Sequence, residues 1–214
     1  MKNIIYCVCF SVFIFRANTQ PLHHYNLADL SAKNKLELDT ATKINVLEDK
    51  DHKGGITLQG YAWLKEVSFS KGTIDIDLRG KNVFLQSFLG IAFHRLNDST
   101  YDVVYFRPFN FKHEDTSRRK WSVQYMSLPN YDYDKLRKAH PGVYENAVTP
   151  VPSPNDWFHA TIVVDDDSLK VYIDHSATAS LKVHLLNNYK EGKIGLWSYI
   201  PGVSGDFDNL VIRE

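Results

Sequence analysis

Between residues 44 and 213 the chain reads as a succession of short runs in which apolar and polar residues alternate, and no stretch carries a competing helical period. Alternation of period two turns successive side chains to opposite faces, so each run predicts a strand with one buried face. The runs are 44–47, 55–58, 72–79, 90–96, 101–109, 121–126, 158–164, 169–174, 181–185, 193–198 and 206–213. Short strands at regular spacing, with turn residues between them, predict an all-β, two-sheet jelly-roll sandwich. VVDDDSLKVYI predicts a hairpin turning at 165–168, LRGKNVFL one turning at 80–82, and a third turn falls at 97–100. Residues 127–156 carry no strand signal; a connection of that length, against a usual ~4 to 6, predicts a lid or binding loop. Within it, 132–140 predicts two helical turns stopped by Pro141 and Gly142.

The first twenty residues, MKNIIYCVCFSVFIFRANTQ, are set apart from this pattern. Lys2 gives a positive start, residues 4–15 are an apolar run, and Ala17 and Thr19 place small residues before a cut. We expect a secretory signal at 1–19 and a single domain at 20–214, secreted or periplasmic; the run is shorter than the ~20 residues a membrane span needs. Removing 19 of 214 residues leaves 195 and takes away both cysteines, Cys7 and Cys9. YCVC lacks the small residue that precedes a lipidated cysteine, so no lipid anchor is expected. An exported chain of this size without disulfides must rest on its core, which fits bacterial export better than eukaryotic secretion. Thiol nucleophiles and cysteine-ligated zinc are excluded. The chain has 25 basic and 25 acidic residues; without Lys2 and Arg16 the balance is 23 against 25, a net of −2. No basic stripe breaks the mixture, so neither nucleic acid nor membrane insertion is expected. The 12 Tyr, 12 Phe and 4 Trp instead leave flat aromatic surface for a neutral partner.

The stretch YDVVYFRPFN departs from ordinary alternation. Tyr101, Val103, Tyr105 and Arg107 share one face, Asp102, Val104 and Phe106 the other, and both are largely apolar. If the turn at 97–100 pairs this strand with GIAFHRL, Ile91 and Phe93 join Val104 and Phe106 in the core. The other face then holds Gly90, Ala92, His94, Tyr101, Val103, Tyr105 and Arg107. Small residues beside large rings make a trough, where aromatic faces meet sugar rings while Arg, His and Tyr fix hydroxyls. The competing reading is that the tyrosines are simply good strand formers and the arginine stacks beneath a layer of loops.

The segments GTIDIDLRG, GIAFHRLNDSTYDVVYFRPFNF, NDWFHATIVVDDDSLKVYID and GKIGLWSYIPGVSGDFDNLVI, in this order, resemble the concanavalin A-like lectin/glucanase superfamily. More narrowly, the chain is similar to bacterial exported domains grouped with 3-keto-disaccharide hydrolases and family 16-like glycosidases. The resemblance implies a jelly roll whose concave sheet binds saccharide, with His94, Tyr105, Arg107 and Gln124 or Tyr125 on that face and Trp197 near one end. It is equally compatible with a lectin, a binding module, a glycoside hydrolase or a lyase on the same two sheets.

Glucanases of this fold carry two glutamates and an intervening aspartate on one strand face. The nearest counterpart, IDIDLR, puts Asp75 and Asp77 together about 7 Å apart, but Arg79 stands where a second glutamate is needed. A salt-bridged solvent face accounts for these three residues without catalysis. In the long loop, Glu145 is a candidate acid, and His140 with Tyr144 a candidate base and acid for a lyase. Against this, Asp132 and Asp134 suit a helix start and Glu145 a solvated surface. Metal signals are limited to Asp206 and Asp208, which could contribute to a calcium site of 6 to 8 oxygens, although turn geometry explains them as well. No other cofactor is expected. The leading expectation is a carbohydrate-recognising surface built from His94, Tyr101, Tyr105, Arg107 and Tyr125 beneath the loop carrying His140, Tyr144 and Glu145. The alternatives are a glycoside hydrolase or lyase and a surface interaction protein that binds no glycan.

Overall fold

Residues 72–79 show why the chain becomes a sandwich: Ile74, Ile76 and Leu78 are fully buried, while Asp75, Asp77 and Arg79 alternate to the opposite side. The computed structural model describes residues 22–199 and 201–214, so the expected signal at 1–19 lies outside the described residues. In chain order the strands are β1 (Leu22–Tyr25), β2 (Leu36–Leu38), β3 (Lys43–Val46), β4 (Ile56–Phe69), β5 (Gly72–Arg79), β6 (Leu89–Asn97) and β7 (Thr100–Phe106). They continue with β8 (Val123–Leu128), β9 (Glu145–Asn146), β10 (Phe158–Val164), β11 (Ser168–Ile173), β12 (Leu181–His184), β13 (Gly192–Ser198) and β14 (Gly205–Arg213). Short helices α1 (Leu27–Ala32), α2 (Pro108–Phe111) and α3 (Tyr133–Ala139) and a 3₁₀ turn (Thr116–Trp121) lie between them.

All strand pairs among the described residues are antiparallel, and the fold is a two-sheet jelly-roll sandwich. One sheet runs β12-β11-β10-β5-β14, with β1 on β14; the other runs β13-β6-β7-β8-β9. Strand β4 belongs to both. Its first residues, 56–59, pair with β14 and β3, and the stretch from Gly60 onward pairs with β13 and β2. The change of sheet falls at Gly60, whose φ of 117° is open only to a residue without a Cβ; an added Cβ would also lie 2.4 Å from Thr42 Oγ1. Between the sheets, side chains of both form one apolar cluster, and Phe106 meets Phe158 edge to face at 5.1 Å.

The hairpin at 165–168 forms as expected, with Ile162 opposite Val171 and Val164 opposite Leu169. The turn at 97–100 likewise closes β6 onto β7. LRGKNVFL is different: β5 and β6 lie in different sheets, so residues 80–88 cross between layers instead of turning back. α3 forms where expected, capped by Asp132, whose carboxylate accepts from Asp134 N and Lys135 N. α1, β1, β2 and the second half of β4 carried no usable pattern. No helix among the described residues is long and apolar enough to cross a membrane.

Candidate functional site

The register of the second sheet sets the floor of a cavity. Trp197 on β13 lies opposite Gly90 on β6, Gly90 opposite Tyr105 on β7, and Tyr105 opposite Gln124 on β8. Paired residues share a face, and Ile91, Val104 and Phe106 point from the other side into the core, so this row faces outward. Because Gly90 has no side chain, the rings of Tyr105 and Trp197 approach across it to 5.2 Å. The trough expected from the alternation is therefore present, with Tyr105, Arg107 and Trp197 in it.

Beneath the rings lies a closed polar network. Tyr105 Oη donates to Gln124 Oε1 at 2.8 Å, Arg107 Nη2 donates to both Tyr105 Oη and Gln124 Oε1, and Arg107 Nη1 donates to the Trp121 carbonyl at 2.9 Å. Burial pushes the Tyr105 phenol up to about 12, against the pull of the neighbouring Arg107, so it stays a neutral donor. Burial likewise lowers the Arg107 guanidinium from its usual value. Gln124 is fully buried and acts by holding Arg107 and Tyr105 rather than by facing a ligand.

Connections supply the walls. Leu85 and Phe88 come from the crossover before β6, Phe109 and Asn110 from α2, Arg118 and Trp121 from the 3₁₀ turn, Tyr133 and Arg137 from α3, and Tyr199 from the end of β13. Together with Met126 they enclose about 280 Å³, near the lower end for small-ligand sites. Leu85, Tyr133 and Tyr199 are among the exposed large apolar side chains and form its rim. The long loop thus lies over the trough as expected, but it contributes Tyr133 and Arg137, not His140 or Tyr144. Four buried polar atoms without a protein partner belong to residues in or under this cavity: Arg118 Nε, Asn110 Oδ1, Gln124 Nε2 and Trp197 Nε1. Each such group left without a partner costs about 1–3 kcal/mol, and four of them gather here.

Several expected residues stand elsewhere. His94 sits in a β-bulge with φ of 53°, which reverses its side chain to the core side, where it is 1 % exposed. Tyr125, opposite Val104, also faces the core, and Tyr144 packs beside it at 6.1 Å. Tyr101 is on the cavity's face, but Trp63 and Tyr61 close its ring in, at 5.5 and 6.1 Å. His140 is exposed at the end of α3, 5.8 Å from Tyr144. Glu145 is buried behind the wall: Arg137 grips it through Nε at 3.0 Å and Nη2 at 2.6 Å, and Arg107 Nη1 stands 3.7 Å away. It therefore positions the arginines rather than meeting a ligand, and it is not the solvated residue that the competing reading expected.

Asp75 and Asp77 lie on the outer face of the first sheet, across the sandwich from the cavity. His159 bridges them, Nδ1 to Asp77 at 2.7 Å and Nε2 to Asp75 at 3.3 Å, with Thr161 and Arg213 donating to Asp75 and Asn209 to Asp77. Asp206 is engaged by Thr57 and Arg79, and Asp208 by His52. Bonds to Asp75 and then Asp77 raise His159 to about 9. Burial pushes Asp75 up, but the bonds from His159, Thr161 and Arg213 outweigh it and bring Asp75 to about 2. His159 is thus raised above its free value of 6.5, so its contribution is complete below about pH 6.5 and lost as pH rises through about 9. The Asp75 contribution, present above its free value of 3.8, is lost only as pH falls through about 2. Denaturant unfolding should show about 1–2 kcal/mol less stability at about pH 9.5 than at about pH 6. His159→Gln should flatten that alkaline limb; an unchanged slope in the variant would show that other groups set it.

No family model and no curated protein sequence matches the chain. Its fold is similar to that of a carbohydrate-binding module from Bacillus subtilis, at 13% identity and a TM-score of 0.55, covering 91% of this chain and 97% of that one. A protein of unknown function with a galectin-like fold, also from Bacillus subtilis, is similar at 11% identity and a TM-score of 0.57, with 89% and 94% covered. A native glycosidic hydrolase is similar at 13% identity and a TM-score of 0.50, with 92% and 96% covered.

Proposed function

We propose that this is an exported carbohydrate-recognising jelly roll that holds part of a poly- or oligosaccharide in the cavity over its second sheet. The observation that carries the reading is the lining: tyrosine, tryptophan and phenylalanine rings with arginines between them, and no Asp or Glu among the described lining residues. Flat rings suit the C–H faces of sugars, and guanidinium groups fix their oxygens. Glycosidases of the common kinds need two carboxyl groups flanking the bond to be cut, so this lining favours holding over hydrolysis. The similarity to a carbohydrate-binding module supports the same direction. The apolar N-terminal run supports export.

Trp121 is half-buried at the wall and has no part in the core, which makes it the variant of choice. Trp121→Ala should weaken binding to whichever oligosaccharides the wild type captures on a glycan array by about tenfold or more. Undiminished capture by Trp121→Ala and by Tyr105→Phe together would remove the cavity from consideration. Release of reducing sugar from the captured glycans would replace the binding reading with a hydrolase.

A further inference from the structure

We infer that the saccharide held in this cavity is anionic, carrying carboxylate or sulfate groups; the inference rests on the carbohydrate reading of the same cavity. Three guanidinium groups line it, those of Arg107, Arg118 and Arg137. Among the described residues, the one carboxylate in contact with any of them is Glu145, which Arg137 grips from behind and which lies outside the lining. Three positive charges against one negative leave two uncompensated.

Arg118 is the clearest case. No ion pair engages it among the described residues. Its guanidinium carbon lies 4.5 Å from the Phe84 ring and 5.3 Å from the Trp121 ring, and its Nε is buried without a partner. The nearby Asp115 turns to cap the 3₁₀ turn, accepting from Ser117 N. Arg137 stands over the same indole at 4.6 Å and Lys120 Nζ at 5.3 Å, so three cations gather on Trp121. Such a gathering is unfavourable alone and is relieved by an anion.

The hydrogen-bonding inventory agrees. Sugar hydroxyls both donate and accept, so a site for a neutral sugar needs acceptors as well as donors. This wall is donor-rich, its side-chain acceptors among the described residues being limited to the Asn110 amide and tyrosine hydroxyls. Donor forks of this kind suit an acceptor-only group such as carboxylate or sulfate.

Titration calorimetry with an oligogalacturonate and its carboxyl-reduced counterpart, and with a sulfated galactan oligosaccharide and its desulfated counterpart, tests this and separates the two anion types. At least one charged member should bind about tenfold or more tightly than its neutral twin. That preference should shrink on raising salt from about 0.05 to about 0.3 M. It should shrink also in Arg118→Gln and be partly restored in Arg118→Lys. Equal binding within both pairs, or a preference for the neutral members, overturns the inference and leaves carbohydrate recognition standing. No binding by any of the four, with no capture on a glycan array, overturns both.

Discussion

Gly90→Ala is expected to lower stability by about 3 kcal/mol or more and to abolish binding in the cavity. A Cβ at this position would lie 2.0 Å from the Val104 carbonyl oxygen and 2.7 Å from Tyr105 Cα, both backbone atoms. Strand β6 cannot yield easily, because it is paired on one side with β13 and on the other with β7. Any shift of β7 away from the added methyl would carry Tyr105 with it and disturb its 5.2 Å approach to Trp197. For a chain of this size the loss corresponds to roughly 6–12 °C in melting temperature. Thermal unfolding and oligosaccharide titration of the variant check both parts; a variant of wild-type stability that still binds would mean the strands open more readily than this packing implies.

Asp102→Ala should cost about 3–5 kcal/mol, because it removes the hub of a buried polar cluster. Asp102 is fully buried and accepts from Tyr125 Oη at 2.8 Å, from His94 Nδ1 at 2.9 Å and from Asn187 Nδ2. Both ring nitrogens of His94 face oxygen, the second being 2.7 Å from the Ser70 carbonyl, so Asp102 fixes one side of a ring that is held from both. Alanine would strand three donors at once in an apolar setting. Asp102→Asn keeps the two bonds at one oxygen and turns an amide N–H toward His94 Nδ1, which accepts as a neutral ring; its cost should stay under about 2 kcal/mol. Chemical denaturation of the two variants side by side gives the comparison, and equal losses would assign the effect to shape instead of to hydrogen bonding.

Strands with one apolar face were legible from alternation, and 72–79 matches β5 residue for residue. The stretch GYAWLKEVSF was not, because β4 is buried on both faces near Ala62–Leu64 and so lacks a polar period. Turn residues at 80–82 signalled a change of direction but could not say whether the chain returns to the same sheet. Tyr105 and Arg107 were legible on the trough's face from pleating, and Trp197 came from the family resemblance. His94 was misplaced because a single positive φ reverses the face, and nothing in GIAFHRL announces it. The walls were missed for another reason: Arg118, Tyr133 and Arg137 come from connections, where no period assigns direction, and Trp121, expected to open the strand at 121–126, ends the 3₁₀ turn before β8 instead. The signal available was RRKW, three consecutive cations and an indole, just before a strand that enters the trough.

Because β4 passes from one sheet into the other at Gly60, it acts as a shared seam. Each layer takes its own part of one continuous fourteen-residue strand, so the edge of one cannot be ordered without anchoring the start of the other. Cutting the backbone at that crossing should therefore release both halves together, and the molecule should melt as one cooperative unit with no half-folded layer surviving.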